Sequence, residues 1–257
     1  IASHQPVAEW DLAMVLLCLR NAGAVYRQMI AAEESWSLAG NADCIGGELT
    51  ERRLGLLGCG HVGQRFIELL RPFRVDLRVC DPYLEDERAE ALGIVRDDLD
   101  AVLEHADILV VQVPHTPRTN KMIGRRELDL LGDGRILVNC SRGKVIDQEA
   151  LIERLEEGRL IAGLDVFEEE PPSADHPLVR HPRVICTPHL GASTEQAQVN
   201  VSIAVAEQIR DYLLDGAVRN AVNVPSISPE LLSEVRPFLV LAEKIGRFQG
   251  QLSPGVI

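Results

Sequence analysis

Two styles of apolar patterning alternate through the middle of the chain. Short runs of neighbouring apolar residues occupy 53–57, 75–80, 107–113, 135–139, 161–165 and 183–187. Between them, at 61–71, 84–92, 97–104, 125–131 and 147–157, apolar residues recur at every third or fourth position. The short runs read as strands buried on both faces and the intervening stretches as amphipathic helices. Strands alternating with helices predict an α/β fold with a parallel sheet covered on both sides. In front of this core, Val7, Leu12, Val15, Leu16 and Leu19 trace a helix over 6–21, closed by Asn21-Ala22-Gly23. Residues 33–50 are rich in turn formers and read as a surface excursion. Behind the core, 193–214 is one long helical pattern opened by Ser193 or Thr194. A Pro/Asn/Ser-rich linker at 220–229 follows, then an amphipathic helix over 229–252 bent at Pro237. The expected organisation is a nucleotide-binding domain at 6–193, a returning helix at 194–225, and a linker with its helix at 226–257.

Composition narrows the partners. A net charge of −13 argues against nucleic acid and anionic membranes, whose phosphates need clustered Lys and Arg. An anionic ligand must therefore be captured locally by particular groups. The longest apolar run, Leu12 to Leu19, is far short of the roughly 20 residues a membrane span requires. The cysteines at 18, 44, 59, 80, 140 and 186 form no C-x-x-C pair, so buried, reduced thiols of a cytoplasmic protein are expected. No histidine shows metal-ligand spacing, and no metal is expected. The chain opens on Ile1 rather than Met, so it is expected to begin within a longer protein.

One motif gives the alternation a purpose. Gly58-Cys59-Gly60-His61-Val62-Gly63 follows an apolar strand and opens an amphipathic helix. Such a G-x-G-x-x-G turn carries a dinucleotide: the first glycine makes the turn, the second admits the pyrophosphate, and the third lets helix and strand pack closely. The pyrophosphate would rest on free amides at the positive end of the helix dipole. Asp81 closes the next strand, where its carboxylate would accept hydrogen bonds from the ribose hydroxyls. A 2′-phosphate would meet a like charge there, and Tyr83 follows rather than an Arg, so NAD is expected over NADP. The fold class is then a Rossmann-type, doubly wound parallel sheet.

Three further residues turn a nucleotide site into a reaction centre. Oxidising a 2-hydroxy acid requires a cation for the carboxylate and the C2 oxygen, a base for the hydroxyl proton, and a group that tunes the base. Arg142, just after strand 135–139, offers a planar fork matched to a carboxylate. His189 can take up and release a proton, since imidazole has an ordinary pKa of about 6.5. Glu170, in Asp-Val-Phe-Glu-Glu-Glu-Pro-Pro, can hold the imidazole in one tautomer and stabilise its cation.

These segments resemble the D-2-hydroxyacid dehydrogenase family. The carriers are Val7-Ala8-Glu9-Trp10, the fingerprint, Val138-Asn139-Cys140-Ser141-Arg142-Gly143 with Asp147, Gly163-Leu164-Asp165-Val166-Phe167, and Pro188-His189-Leu190-Gly191-Ala192. The resemblance implies that Arg142, Glu170 and His189 are the catalytic trio. It implies that Asp165 contacts the nicotinamide carboxamide, that Val113, Cys140, Ser141 and Arg142 line the cofactor, and that His189, Gly191 and Ala192 flank the nicotinamide. Within the family, Gly191 to Gln198, Asn220 to Pro225 and the tail from Ser228 to Gly246 are similar to the branch that oxidises 3-phosphoglycerate on the route to serine. Alternative readings are reduction of glyoxylate or hydroxypyruvate, and a non-catalytic NAD(H)-sensing protein like the family's corepressors. The resemblance also implies a homodimer built on the 6–21 helix and the 33–50 excursion. Family members carry most of the substrate domain ahead of the Val-Ala-Glu helix, including a glycine-rich loop for the substrate carboxylate. This chain is thus expected to be a fragment that binds NAD, with its own turnover an open matter.

Overall fold

The computed structural model describes residues 3–31, 45–218, 220–221, 223 and 229–252. Most of the expected excursion (33–44) and most of the 220–229 linker lie outside them. The chain divides into two compact units, Ile1–Ala197 and Gln198–Ile257.

The first unit is built on a seven-stranded, all-parallel sheet: β1 (Arg53–Leu57), β2 (Asp76–Cys80), β3 (Val95–Arg96), β4 (Ile108–Val111), β5 (Arg135–Asn139), β6 (Leu160–Leu164) and β7 (Val184–Cys186). The order is β3-β2-β1-β4-β5-β6-β7. Sequence order reverses between β1 and β4, the switch point at which open α/β sheets form a ligand crevice at their carboxyl edge.

Helices are α1 (His4–Leu19), α2 (Ala22–Ala31), α3 (His61–Leu70), α4 (Asp86–Leu92), α5 (Leu99–His105), α6 (Arg125–Leu131), α7 (Gln148–Glu156), α8 (Pro177–Arg180), α9 (Glu195–Asp215) and α10 (Pro229–Leu252). Residues of β4 alternate between two cores. Leu109 and Val111 join α5, α6 and α7 on one face, while Ile108 and Val110 join α1 and α3 on the other. All four are buried, which explains why β4 reads as a continuous apolar run. Burial of each such side chain contributes ~1.5–3 kcal/mol.

Side chains start the helices where the chain leaves a strand or turn. The Asp98 carboxylate accepts from the Ala101 amide, and Asp147 accepts from Glu149 and Ala150. Of the two expected starters of α9, Thr194 is the cap: its hydroxyl accepts from the Ala197 amide. In the second unit, α10 runs as a helix through Pro237.

Four elements differ from the sequence expectation, among them α8, a four-residue helix too short for periodicity to mark. Asn21 does close α1, with φ of 51°, but α2 begins at once, an added helix with no buried residue to mark it in the pattern. β3 is a two-residue edge strand, too short for periodicity. The buried stripe of α1 is Ala8, Asp11, Met14, Val15, Cys18 and Leu19, rotated from the expected one, so Leu12 and Leu16 are only half-buried.

Candidate active site

The nucleotide fingerprint forms the turn between β1 and α3. Gly58 has φ of +92°, and a Cβ there would stand 2.5 Å from the Gln112 carbonyl oxygen. A Cβ on Gly63 would lie 2.4 Å from the Gly58 oxygen, so this glycine sets the close contact of helix and turn. At Gly60 a Cβ would meet nothing within 4 Å. Gly60 is also the N-cap of α3, with no side-chain cap and no acidic residue in the first turn. Open space in front of uncapped amides is what a pyrophosphate requires. His61 is exposed at the first position of α3 and Val62 is half-buried behind it.

Asp81 sits directly after β2. One carboxylate oxygen accepts from the Cys59 amide at 2.7 Å and the other from the Tyr83 amide at 2.8 Å. This anchors the carboxylate beside a cleft of about 810 Å³ lined by Gly58, Gly60, Asp81, Gln112, Val113 and Thr116 among others. The cleft has the size of a nucleotide site; Arg96 and Arg118 line it as well, and the Asp81 carboxylate within it suits ribose hydroxyls. Arg142, Glu170 and His189 do not line it. They stand further along the carboxyl edge, beyond β5, β6 and β7, on an open part of the surface.

Arg142 is exposed and its Nη1 donates to the Ser141 carbonyl at 2.6 Å. The turn beneath it hangs on Asn139, which is 1% exposed. The Asn139 Oδ1 accepts from both the Ser141 amide and the Ser141 hydroxyl, and its Nδ2 donates to the Arg142 carbonyl. Gly143 then lets this turn meet the next loop: a Cβ there would fall 1.9 Å from the Phe167 carbonyl. The Phe167 amide in turn donates to Glu170 Oε1 at 3.0 Å.

His189 and Glu170 form a direct pair, Nδ1 to Oε2, at 2.8 Å. Burial pushes the Glu170 carboxyl up. The hydrogen bonds from His189 and Phe167, together with the charges of His189 and Arg142, more than offset this and hold it below the usual carboxylate range. An ionised carboxylate only accepts, so Nδ1 carries the proton and Nε2 is the nitrogen left for a substrate. His189 has φ of +60°, a strained conformation for a residue with a Cβ. What holds it is Asp165, which is fully buried. Its carboxylate accepts from the Leu190 and Gly191 amides and the Thr187 hydroxyl, and its carbonyl accepts from the His189 amide.

The candidate residues thus divide into groups. Gly58, Gly60, Asp81 and Val113 share the cleft. Arg142, Glu170 and His189 cluster beyond the sheet edge. Cys140, Ser141, Asp165 and Gly191 are buried beneath that cluster, with Ala192 half-buried beside them. The structure adds Asn139, Thr187, Gln112 and Asp11 as supports. Asn139 stood inside a motif whose chemistry drew attention to Arg142. Asp11 lay off the stripe that the apolar spacing predicted, so nothing in the pattern marked it as buried.

Comparison with known proteins agrees with this architecture. The profile of the family described as D-isomer specific 2-hydroxyacid dehydrogenase, NAD binding domain, matches residues 12–191. A D-3-phosphoglycerate dehydrogenase of Methanocaldococcus jannaschii is 38% identical over 100% of this chain and 48% of its own length. The chain therefore spans about half the length of the curated relative it matches. Among solved structures, a putative D-isomer specific 2-hydroxyacid dehydrogenase, NAD-binding, from Polaromonas sp. superposes with a TM-score of 0.77 at 27% identity, over 89% of this chain and 69% of that one. The NAD-complexed D-isomer specific 2-hydroxyacid dehydrogenase of Lactobacillus delbrueckii ssp. bulgaricus does so with a TM-score of 0.73 at 27% identity, over 86% and 69%. The switch-point crevice, the uncapped amides of α3 and the profile match lead to one conclusion: this chain belongs to the D-isomer specific 2-hydroxyacid dehydrogenase family and carries its NAD-binding domain.

Proposed function

We propose that the chain is the cofactor-binding part of an enzyme that oxidises 3-phosphoglycerate to 3-phosphohydroxypyruvate with NAD, in serine synthesis. The observation that carries the reaction class is the His189–Glu170 hydrogen bond of 2.8 Å with the Arg142 charge acting on the same carboxylate. The substrate is suggested by the relative named D-3-phosphoglycerate dehydrogenase, 38% identical over this whole chain.

Bound NAD supplies the acceptor for the hydrogen leaving C2. Arg142 anchors the substrate carboxylate and polarises the C2 oxygen with its planar fork. The Nε2 of His189 takes the hydroxyl proton, and Glu170 stabilises the imidazolium that results. Gly58, Gly60, His61, Val62, Gly63 and Asp81 serve the adenosine and pyrophosphate half of the cofactor. Val113, Cys140, Ser141, Asp165, Gly191 and Ala192 shape the floor and wall of the nicotinamide half. The nucleotide domain is read as 6–193, and the working form as a cytoplasmic homodimer that uses α1.

The first experiment titrates NADH into the chain and follows its fluorescence, then adds 3-phosphoglycerate with NAD and follows absorbance of the reduced cofactor. NADH binding is the expected result. Turnover of 3-phosphoglycerate in preference to glycolate, by this chain or by a longer form carrying it, supports the substrate. Glyoxylate or hydroxypyruvate reduction with no activity on 3-phosphoglycerate would replace it, and absence of NADH binding would refute the site.

A further inference from the structure

The last residues of β1, β4, β5, β6 and β7 stand in one register: Leu57, Val111, Asn139, Leu164 and Cys186 pair in turn across the sheet. The next residue along each of the last four strands therefore forms a second row, just outside the sheet: Gln112, Cys140, Asp165 and Thr187. This row is polar, and it lies beneath the loops that carry Val113, Arg142 and His189. α1 packs against β5, β6 and β7. It delivers one carboxylate to the row. Asp11 is 0% exposed. The Gln112 Nε2 donates to both of its oxygens, at 2.9 and 2.8 Å, and the Cys140 thiol bonds to it as well. Asp165 is near enough to act on it electrostatically, and Asp165 holds the His189 turn.

Among the described residues, the groups that act most strongly on Asp11 include no cation. From β4 it meets an amide, from β5 a thiol, from β6 a second carboxylate. Cys18, on its own helix, acts on Cys140; burial pushes the Cys18 thiol up to about 12 and Cys140 well above the ordinary thiol range, so both stay neutral. Two buried carboxylates without a counter-ion are unfavourable together. Asp165 accepts from two amides and a hydroxyl, an arrangement that suits an anion. Asp11, with fewer donors, is the partner that keeps a proton. Burial first, then the Asp165 charge, raises its carboxyl to about 8 against the hydrogen bonds of Cys140 and Gln112.

We propose that Asp11 is a positioning residue whose proton sets the preference of the cofactor site between oxidised and reduced nicotinamide. The inference rests on the reading above, in which the redox-active ring reaches Arg142 and His189 and so lies over this row. The oxidised ring carries a positive charge and the reduced ring none. With Asp11 neutral the floor carries one negative charge, from Asp165. With Asp11 ionised it carries two, which favours the cationic ring. Deprotonation also sets Asp11 against Asp165, and through Asp165 it loosens the turn that holds His189. Linkage makes the effect reciprocal: the oxidised cofactor must ease loss of the Asp11 proton and the reduced cofactor must oppose it.

The test measures the affinities of this chain for NAD and for NADH from about pH 6 to about pH 10, for the native chain and for Asp11→Asn. The expected result is a relative preference for NAD that grows about tenfold as pH rises through the Asp11 titration, and that is flat in the variant. A flat ratio in the native chain, or an unchanged step in Asp11→Asn, overturns the proposal while leaving the site reading intact. Binding of neither nucleotide at any pH overturns the site reading, and this proposal with it. Infrared spectroscopy of the native chain provides a readout that does not depend on the variant folding. A protonated-carboxyl band should be present at neutral pH, vanish at lower pH with NAD bound than with NADH bound, and be missing from Asp11→Asn. Absence of that band at neutral pH, or an identical titration with both nucleotides, overturns the proposal.

Discussion

At the scale of single residues, the candidate site depends on groups that are each held by a second one. His189 tolerates φ of +60° because Asp165 takes up the next two amides, and its Nδ1 is committed to Glu170. Glu170→Gln keeps the shape and removes the charge. In an active form of the enzyme it should lower kcat by about 10²-fold or more, with NADH affinity nearly unchanged, as stopped-flow and binding titrations would show. The Glu170 carboxyl lies below its usual range, so it stays ionised through neutral pH and takes up a proton only on acidification. Arg142→Lys keeps a positive charge and loses the bidentate fork. It should reduce kcat/KM by about 10²-fold while NADH still binds, and unchanged turnover would remove Arg142 from the mechanism. Each member of the proposed trio stands out in the sequence because its motif is specific. Their supports do not: Thr187 and Gln112 are ordinary polar residues until the fold shows what they bond to.

Among the elements, the strand ends matter more than the strands. The loop after β5 approaches the loop after β6 so closely that Gly143 has no room for a Cβ. Gly143→Ala should push the Arg142 turn away from Phe167 and hence from Glu170. The expected cost is ~1–3 kcal/mol in stability, seen as a lower denaturation midpoint, with a larger loss in turnover than in NADH binding. The helix and strand pattern in the sequence located β1, β4, β5, β6 and the main helices well, since fully buried strands and two-sided cores leave continuous apolar runs. It missed α2, which buries nothing, and β3, which is too short. It also misplaced the face of α1, because that helix is apolar nearly all round and its buried stripe is set by what it meets. The rotation is what puts Asp11 inside.

Across the whole molecule, a carboxyl buried with its proton ties stability to pH. Asp11 has a raised folded-state pKa of about 8 against an ordinary 3.8. Its contribution is fully present below pH 3.8 and is lost as pH rises to about 8, where the unfolded chain is ionised and the fold still holds the proton. Asp11→Asn removes that dependence. Urea denaturation should show the variant gaining on the native chain between those limits, by about 6 kcal/mol at most. Cofactor binding should also be visible at this scale. NADH at about 100 times its dissociation constant adds ~2.7 kcal/mol, a rise of about 5 °C or more in the melting midpoint of the first unit. No such rise would mean that the folded first unit does not bind NADH.

The sequence by itself determined the α/β alternation and the fingerprint turn, and it singled out Asp81, Arg142, Glu170 and His189 as candidates. Those are local matters: periodicity, turn chemistry and rare side chains are all written within a few residues of one another. Only the tertiary structure decided that Asn139, Asp165 and Thr187 hold the site from below. It also decided that Gly143 closes the gap between two loops, and that α1 turns a carboxylate toward the sheet edge. These depend on strand register and helix rotation, which bring together residues as far apart in the chain as Asp11 and Asp165 and which no short stretch of sequence encodes.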